Sequence, residues 1–191
     1  GRALLGYLKA DVDHLGMIFE WGFKGDNADS RHEDSPARFS MLSRQLDRFF
    51  SAWLREFLST SAHYRRTYTV FAGGDDLFLT GHWSDVLALA KDIRQKFGEF
   101  VNGHQDVTLS VGIEMVKPRV PSGLASKQAE HQLDCAKKTA ALERRQTEYD
   151  YGRDQIAIQN DILDWKTFQL VLDEKNQLQR DAPRSAFLYH L

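Results

Sequence analysis

Apolar and polar residues alternate along some stretches of the chain and recur every three to four residues along others, so both strands and helices can be placed. Strands are predicted where alternation, or β-branched and aromatic residues, dominate: 3–11, 67–72, 77–80 and 107–114. Helices are predicted where apolar residues recur at helical spacing: 36–57 and 84–100. The predicted order of these elements is β-α-β-β-α-β.

This order is that of the ferredoxin-like fold of polymerase palms and nucleotide cyclases, so we expect an α+β domain of this type. In this fold the third strand lies between the first and the second and runs antiparallel to the first. Three added elements are predicted after the core: a helix over 126–145, a strand over 155–158 and a helix over 164–178. The apolar stripe from Phe39 to Phe57 is expected to be buried.

Two glycines and two aspartates, Gly73-Gly74-Asp75-Asp76, separate the two central strand segments. A Gly-Gly pair between strand-like runs predicts a tight hairpin, because glycine adopts positive φ without steric cost. The acids then lie at the hairpin tip, and the lack of side chains at the glycines leaves room for a ligand near the backbone. The two aspartates could also serve only to form the turn, since aspartate tolerates turn conformations and can bond its own backbone.

A second acidic pair, Asp11 and Asp13, ends the first strand. The antiparallel third strand should bring Asp11 opposite the hairpin acids, and alternation places Lys9, Asp11 and Asp13 on one open face. Alternation also aims Asp75 and Asp76 in opposite directions if both are extended. Because nearby carboxylates repel one another unless a cation compensates them, and Mg²⁺ binds carboxylates and substrate phosphates, the pattern predicts a magnesium site for nucleotide chemistry.

Composition narrows the class of protein. The 191 residues are 42% hydrophobic and 27% charged, as expected of a globular domain, and a net charge of −2 gives no global positive field for nucleic acid. The single cysteine, Cys135, excludes an internal disulfide, and the seven histidines lack the spacing of metal ligands. Because we find neither a membrane-spanning apolar run nor a signal peptide, we expect a cytoplasmic protein without membrane contact.

Five ordered motifs resemble those of the second palm domain of the large, polymerase-like subunit of type III CRISPR effector complexes, nearest the type III-A form. They are 9–16 (KADVDHLG), 42–46 (LSRQL) with the pair 49–50 (FF), 68–78 (YTVFAGGDDLF), 108–113 (TLSVGI), and the pairs 129–130 (AE) and 136–137 (AK). The resemblance implies a palm domain over 1–180. It also implies that 181–191 begins the helical domain that follows this palm in the family.

The activity implied by this resemblance is the condensation of ATP into cyclic oligoadenylates, by attack of a 3′-hydroxyl on an α-phosphate, when target RNA is bound. Diguanylate cyclases are the other option in the superfamily, but their signature has Glu-Phe where this chain has Asp76-Leu77. Implied partners are the first palm domain of the same subunit, the other type III subunits, and guide and target RNA. The alternative is a non-catalytic palm that binds ATP weakly and serves as a scaffold.

The family's metal site maps onto the acidic residues of this chain. The resemblance implies that Asp11 and Asp75 hold Mg²⁺ or Mn²⁺ in a two-metal site, that Asp76 assists, and that the carbonyl of Val12 adds an oxygen. ATP is the implied substrate at this site.

The family's nucleotide contacts map onto a second set of residues. The resemblance implies that backbone amides of His14-Leu15-Gly16 cradle phosphate, near Gly73 and Gly74, and that Lys137 meets the triphosphate. Lys137 could also be a solvated helix lysine. Ser43 and Arg44 are candidates for contact with base or ribose, although Arg44 could equally form an ion pair. The chain departs from the family pattern at two places: His14 stands where the family usually has asparagine, and the pair Arg153-Asp154 stands where it usually has Lys-Asn.

Overall fold

The computed structural model describes residues 4–16, 36–104, 107–138 and 153–181. The described strands are β1 (Leu5–Val12), β2 (Tyr68–Gly73), β3 (Asp76–His82), β4 (Leu109–Val116), β5 (Gln155–Ile158) and β6 (Asp161–Asp164). The described helices are α1 (Pro36–Asp47), a π-helical segment (Arg48–Trp53), α2 (Leu54–Thr60), α3 (Trp83–Phe100), α4 (Ser122–Lys138) and α5 (Trp165–Asp181). None of these helices is long and apolar enough to cross a membrane.

The six strands form one sheet in the order β2-β3-β1-β4-β5-β6. Strand β1 is antiparallel to both β3 and β4, and β5 adds to β4 in parallel. The first four strands, with their connecting helices, are the predicted ferredoxin-like βαββαβ core, so the α+β palm fold is confirmed. Residue 3 of the first predicted strand, residues 139–145 of the predicted helix after the core, and residues 182–191 of the predicted helical domain lie outside the described residues.

Strand β6 was not predicted, and it pairs with β5 as a hairpin. The two residues between these strands, Gln159 and Asn160, both have positive φ, at 52° and 73°. Positive φ at both central positions is the mark of a type I′ turn, for which Asn-Gly is the usual sequence. Because glutamine rarely adopts this conformation, the sequence carries little signal for the hairpin.

Apolar residues fill both faces of the sheet. On one face Leu8, Ala10 and Val12 of β1 are buried against the helices, in a cluster that contains Phe50 and Phe97. On the other face a smaller cluster joins β1 and β4 to α4, through Tyr7, Val116, Ala125 and Ala129. The sheet is therefore covered by helices on both sides near β1, and this fixes the strand that carries Asp11.

The aromatic stripe of the first long helix is buried where the structure describes it. Leu46, Phe49, Phe50 and Leu54 are buried, and Leu42, Trp53 and Phe57 pack against them half-buried. The side chain of Phe39 lies outside the described part. Residues 48–53 wind as a π-helix, which the spacing of apolar residues did not predict.

Helix α4 lies unusually close to β4. A Cβ added at Gly112 would lie 2.1 Å from the backbone nitrogen of Leu133 and 2.6 Å from the backbone oxygen of Ala129. Any side chain at this position would therefore displace the helix backbone. This contact fixes the height of α4 above the sheet, and with it the position of Lys137 near the helix end.

Candidate active site

The hairpin tip consists of Gly74 and Asp75, because Gly73 and Asp76 already pair across β2 and β3. Gly74 has a φ of 62°, and the space around its Cβ position is open, so the backbone conformation rather than crowding requires glycine here. Positive φ at the first central position fits a type II′ turn. The local sequence thus folds the hairpin as predicted.

Asp47, at the end of α1, braces this hairpin. Its Oδ1 accepts a hydrogen bond from the backbone nitrogen of Gly74 at 3.2 Å, and it would lie 3.3 Å from a Cβ at Gly73. Sequence reasoning missed Asp47, since nothing in its local pattern reveals a partner that lies far along the chain. The contact shows why glycine suits both positions. Gly74 donates its backbone N–H to Asp47 from a residue with positive φ, and Gly73 leaves space for the Asp47 carboxylate.

The two predicted acidic clusters are adjacent. Asp11 lies directly opposite Asp76 across β1 and β3, and the backbone nitrogen of Val12 donates to the backbone oxygen of Asp75 at 3.3 Å. The side chain of Asp11 is 17% exposed, Asp75 is half-buried and Asp76 is exposed. The strand order therefore brings the end of the first strand to the hairpin tip.

The prediction that Lys9, Asp11 and Asp13 share one open face is wrong, because α4 covers that face at Lys9 and Asp11, and Asp13 does not lie on it. Strand β1 ends at Val12, so alternation no longer applies, and Asp13 turns into the interior with 0% exposure. Its Oδ2 accepts hydrogen bonds from Thr108 Oγ1 at 2.8 Å, Ser110 Oγ at 2.9 Å and the backbone nitrogen of Asp154 at 2.9 Å. Asp13 thus joins the ends of β1, β4 and β5, and these three partners were not identified from the sequence.

Lys137 approaches Asp11 from α4. Its Nζ donates a hydrogen bond to Asp11 Oδ2. Lys9, two residues before Asp11 on the same face of β1, forms an ion pair with Glu130 of the same helix. Burial raises the pKa of Asp11 to about 6, with Asp75 and Asp76 adding to the rise and Lys137 opposing it. The site thus combines the largely buried Asp11, the half-buried Asp75 and the exposed Asp76 with the ammonium of Lys137.

Carboxylate oxygens are the ligands that a divalent cation such as Mg²⁺ prefers, but these side chains alone do not complete a coordination shell. Among the described residues no group of three or more His, Cys, Asp or Glu side chains is arranged as a metal site. Mg²⁺, however, commonly takes only one or two carboxylates and completes its shell with water and substrate phosphate. Asp11 is largely buried and feels the charges of Asp75 and Asp76, so a further positive charge at this point would stabilise its ionised form.

The proposed nucleotide contacts lie around this point. His14 follows β1 with a φ of 60°, Leu15 is half-buried, and Gly16 is exposed with open space at its Cβ position. Ser43 and Arg44 are exposed, about one helical turn before Asp47. Residues 14–16 therefore follow the end of β1 that lies beside the hairpin, and Ser43 and Arg44 lie on the helix whose last residue bonds Gly74.

Two of the three residues that depart from the family pattern, His14 and Asp154, have left-handed backbone conformations. His14 has a φ of 60° and Asp154 a φ of 63°, at two positions where the resemblance implies asparagine. Asparagine, aspartate and histidine are the residues that most often adopt this conformation apart from glycine. The side-chain carboxylate of Asp154 also forms a bidentate ion pair with Arg94, at 2.7 and 2.8 Å. Histidine at position 14 and aspartate at position 154 are therefore compatible with the left-handed backbone conformation found there.

Comparison with known proteins identifies the family. The model of the family Cas10/Cmr2, second palm domain, matches residues 4–146. A relative from Methanocaldococcus jannaschii, named CRISPR system single-strand-specific deoxyribonuclease Cas10/Csm1 (subtype III-A), is 34% identical over 174 residues. That match covers 86% of this chain and 21% of the relative, so the chain spans about a fifth of that relative's length.

Solved structures agree with this assignment. A Csm1-Csm4 cassette in complex with AMPPNP has a TM-score of 0.62 and 27% identity, covering 80% of this chain and 20% of that one. The cassette in complex with pppApA gives a TM-score of 0.62 and 26% identity over the same shares. The resemblance seen in the five motifs is confirmed: this chain belongs to the second palm domain family of Cas10/Cmr2, the large subunits of type III CRISPR effectors.

Proposed function

We propose that this palm is the catalytic domain of a nucleotidyltransferase that condenses ATP into cyclic oligoadenylates. The observation that carries the proposal is the placement of Asp11 opposite the hairpin acids, with the Lys137 ammonium against it. The related Csm1-Csm4 cassettes bound to AMPPNP and to pppApA support the choice of an adenine nucleotide. The second of these ligands is a 5′-triphosphorylated dinucleotide, which is what a single condensation of two ATP molecules would give.

Asp11, Asp75 and the carbonyl of Val12 would hold Mg²⁺ or Mn²⁺, in a two-metal site, with Asp76 assisting. Bound there, such ions would favour ionisation of the attacking 3′-hydroxyl and neutralise charge on the departing pyrophosphate. The protein's own part is to hold these carboxylates at fixed positions. The β1–β3 pairing and the Asp47 bond to Gly74 do this from two sides.

The triphosphate would be bound by Lys137 and by the backbone amides of residues 14–16, next to Gly73 and Gly74. Because the tip glycines carry no side chains, the nucleotide could approach the backbone closely. Ser43 and Arg44 would contact the base or the ribose. A lysine contact of this kind is charge-assisted, and it would orient the α-phosphate for in-line attack.

The remaining partners follow from the family. Since the chain spans only about a fifth of the length of its relative from Methanocaldococcus jannaschii, we propose that a first palm domain of the same subunit completes the nucleotide site. Other subunits of a type III complex, with guide and target RNA in the cytoplasm, would control activity. Residues 181–191 would begin the next, helical domain.

The test is product formation by the intact complex with ATP, Mg²⁺ or Mn²⁺ and target RNA. Replacing Asp75 and Asp76 by alanine should abolish oligoadenylate synthesis and leave assembly and RNA binding unchanged, because only the cation site is removed. The matched control replaces the exposed acids Asp173 and Glu174 of α5 by alanine, with the same change in net charge. Oligoadenylates made at normal rates by the hairpin variant would overturn the proposal, and disassembly of that variant would favour the scaffold role.

A further inference from the structure

Lys137 and a divalent cation would compete for the carboxylate of Asp11. The ammonium of Lys137 contacts Asp11 Oδ2, and both side chains are shielded from water, with 25% and 17% exposed. Asp75 and Asp76 are near enough to act electrostatically on Asp11. An ammonium and a doubly charged ion repel each other at such short range, so they cannot both interact fully with Asp11.

The helix that carries Lys137 is fixed independently of this contact. Gly112 allows the backbone of α4 to rest directly on β4. Glu130, two helical turns before Lys137 and therefore on the same side of α4, is bound to Lys9 of β1. Lysine has a flexible stem of four carbons. Its ammonium can therefore leave Asp11 by rotation about side-chain bonds while the helix stays in place.

We propose that Lys137 makes the binding of the divalent cation depend on the binding of nucleotide. A triphosphate offers the ammonium several charged oxygens, which form strong hydrogen bonds. When Lys137 turns to the phosphate, the Asp11 carboxylate becomes available to the cation. This inference rests on the proposed function and specifies the order in which that site is filled.

Linkage makes the coupling reciprocal: nucleotide raises the affinity for the cation, and the cation raises the affinity for nucleotide by the same factor. Removing the charge of Lys137 should therefore have two opposite effects. The cation alone should bind more tightly because its competitor is gone, and nucleotide should strengthen cation binding less than it does in the wild type.

The experiment is a Mn²⁺ titration of the intact protein, followed by the electron paramagnetic resonance signal of free Mn²⁺. The titration is run with and without α,β-methylene-ATP, whose bridging carbon prevents displacement at the α-phosphate. Lys137→Met keeps the length of the side chain and removes its charge. Lys138→Met, about 100° further round α4, is the control with the same change in net charge.

We expect Lys137→Met to bind Mn²⁺ alone roughly threefold more tightly or better, as for loss of a partly exposed charge pair. The gain from α,β-methylene-ATP should shrink by a similar factor, and Lys138→Met should behave as wild type. An affinity of Lys137→Met for Mn²⁺ alone that equals or falls below that of the wild type overturns the inference.

Asp11→Asn separates this inference from the proposed function. If Asp11→Asn no longer binds Mn²⁺ while Lys137→Met binds Mn²⁺ with wild-type affinity, the proposed cation site is supported and the proposed coupling is wrong. If Asp11→Asn binds Mn²⁺ as the wild type does, the cation is not held at Asp11, and both proposals are overturned.

Discussion

At the scale of single residues, the two aspartates at the end of β1 have different environments although a single residue separates them. Asp11 faces the hairpin acids and Lys137, whereas Asp13 is buried and accepts three hydrogen bonds on one oxygen. Its other oxygen, Oδ1, is buried without a hydrogen-bond partner among the described residues. The sequence pattern cannot separate these roles, because they depend on where the strand ends and on partners that lie far along the chain.

Replacement of the two kinds of acid should separate structural from functional roles. Asp13→Ala leaves three donors without their acceptor, so we expect the free energy of unfolding to fall by about 3 kcal/mol or more. Asp76→Ala removes an exposed acid, so we expect a change within about 0.5 kcal/mol. Urea denaturation of the two variants measures the difference. Equal losses of stability would show that Asp13 is not the anchor of this strand end.

At the scale of elements, the β2–β3 hairpin was predictable because its signal is local. Two glycines between strand-like runs predict the turn, and the structure shows it with a left-handed Gly74. The π-helical segment at 48–53 and the β5–β6 hairpin were not predictable in the same way. The first departs from the ordinary helical period, and the second uses Gln159 and Asn160 in a turn that usually contains glycine.

Two glycines allow the hairpin's role to be tested with a matched control. Gly74 and Gly103 both have left-handed φ, at 62° and 69°, and both have open space at the Cβ position. Alanine at either position should lower the free energy of unfolding by about 1–2 kcal/mol, through backbone strain alone. Only Gly74→Ala should also weaken binding of α,β-methylene-ATP with Mn²⁺, because Gly74 shapes the tip that carries Asp75. Similar nucleotide affinities in the two variants would remove the hairpin tip from the site.

At the scale of the whole molecule, the order β2-β3-β1 within the sheet was predictable because five motifs and a β-α-β-β-α-β pattern agree. This order alone brings Asp11 beside the hairpin, although the two are far apart in the chain. The braces of the site were not predictable: Asp47 against Gly74 and Gly112 beneath α4 are contacts that only the packed structure reveals. The chain belongs to the Cas10/Cmr2 second palm domain family, and its match covers about a fifth of the length of the Methanocaldococcus jannaschii relative.

The central claim is that Asp11 and the hairpin acids hold the divalent cation of an ATP-condensing site. The most direct measurement is the anomalous diffraction of Mn²⁺ in crystals of the intact protein grown with α,β-methylene-ATP. We predict a Mn²⁺ peak within roughly 2.5 Å of carboxylate oxygens of Asp11 and Asp75, with the triphosphate adjacent and Lys137 turned toward it. Nucleotide and Mn²⁺ bound elsewhere, with Lys137 still on Asp11, would contradict the account.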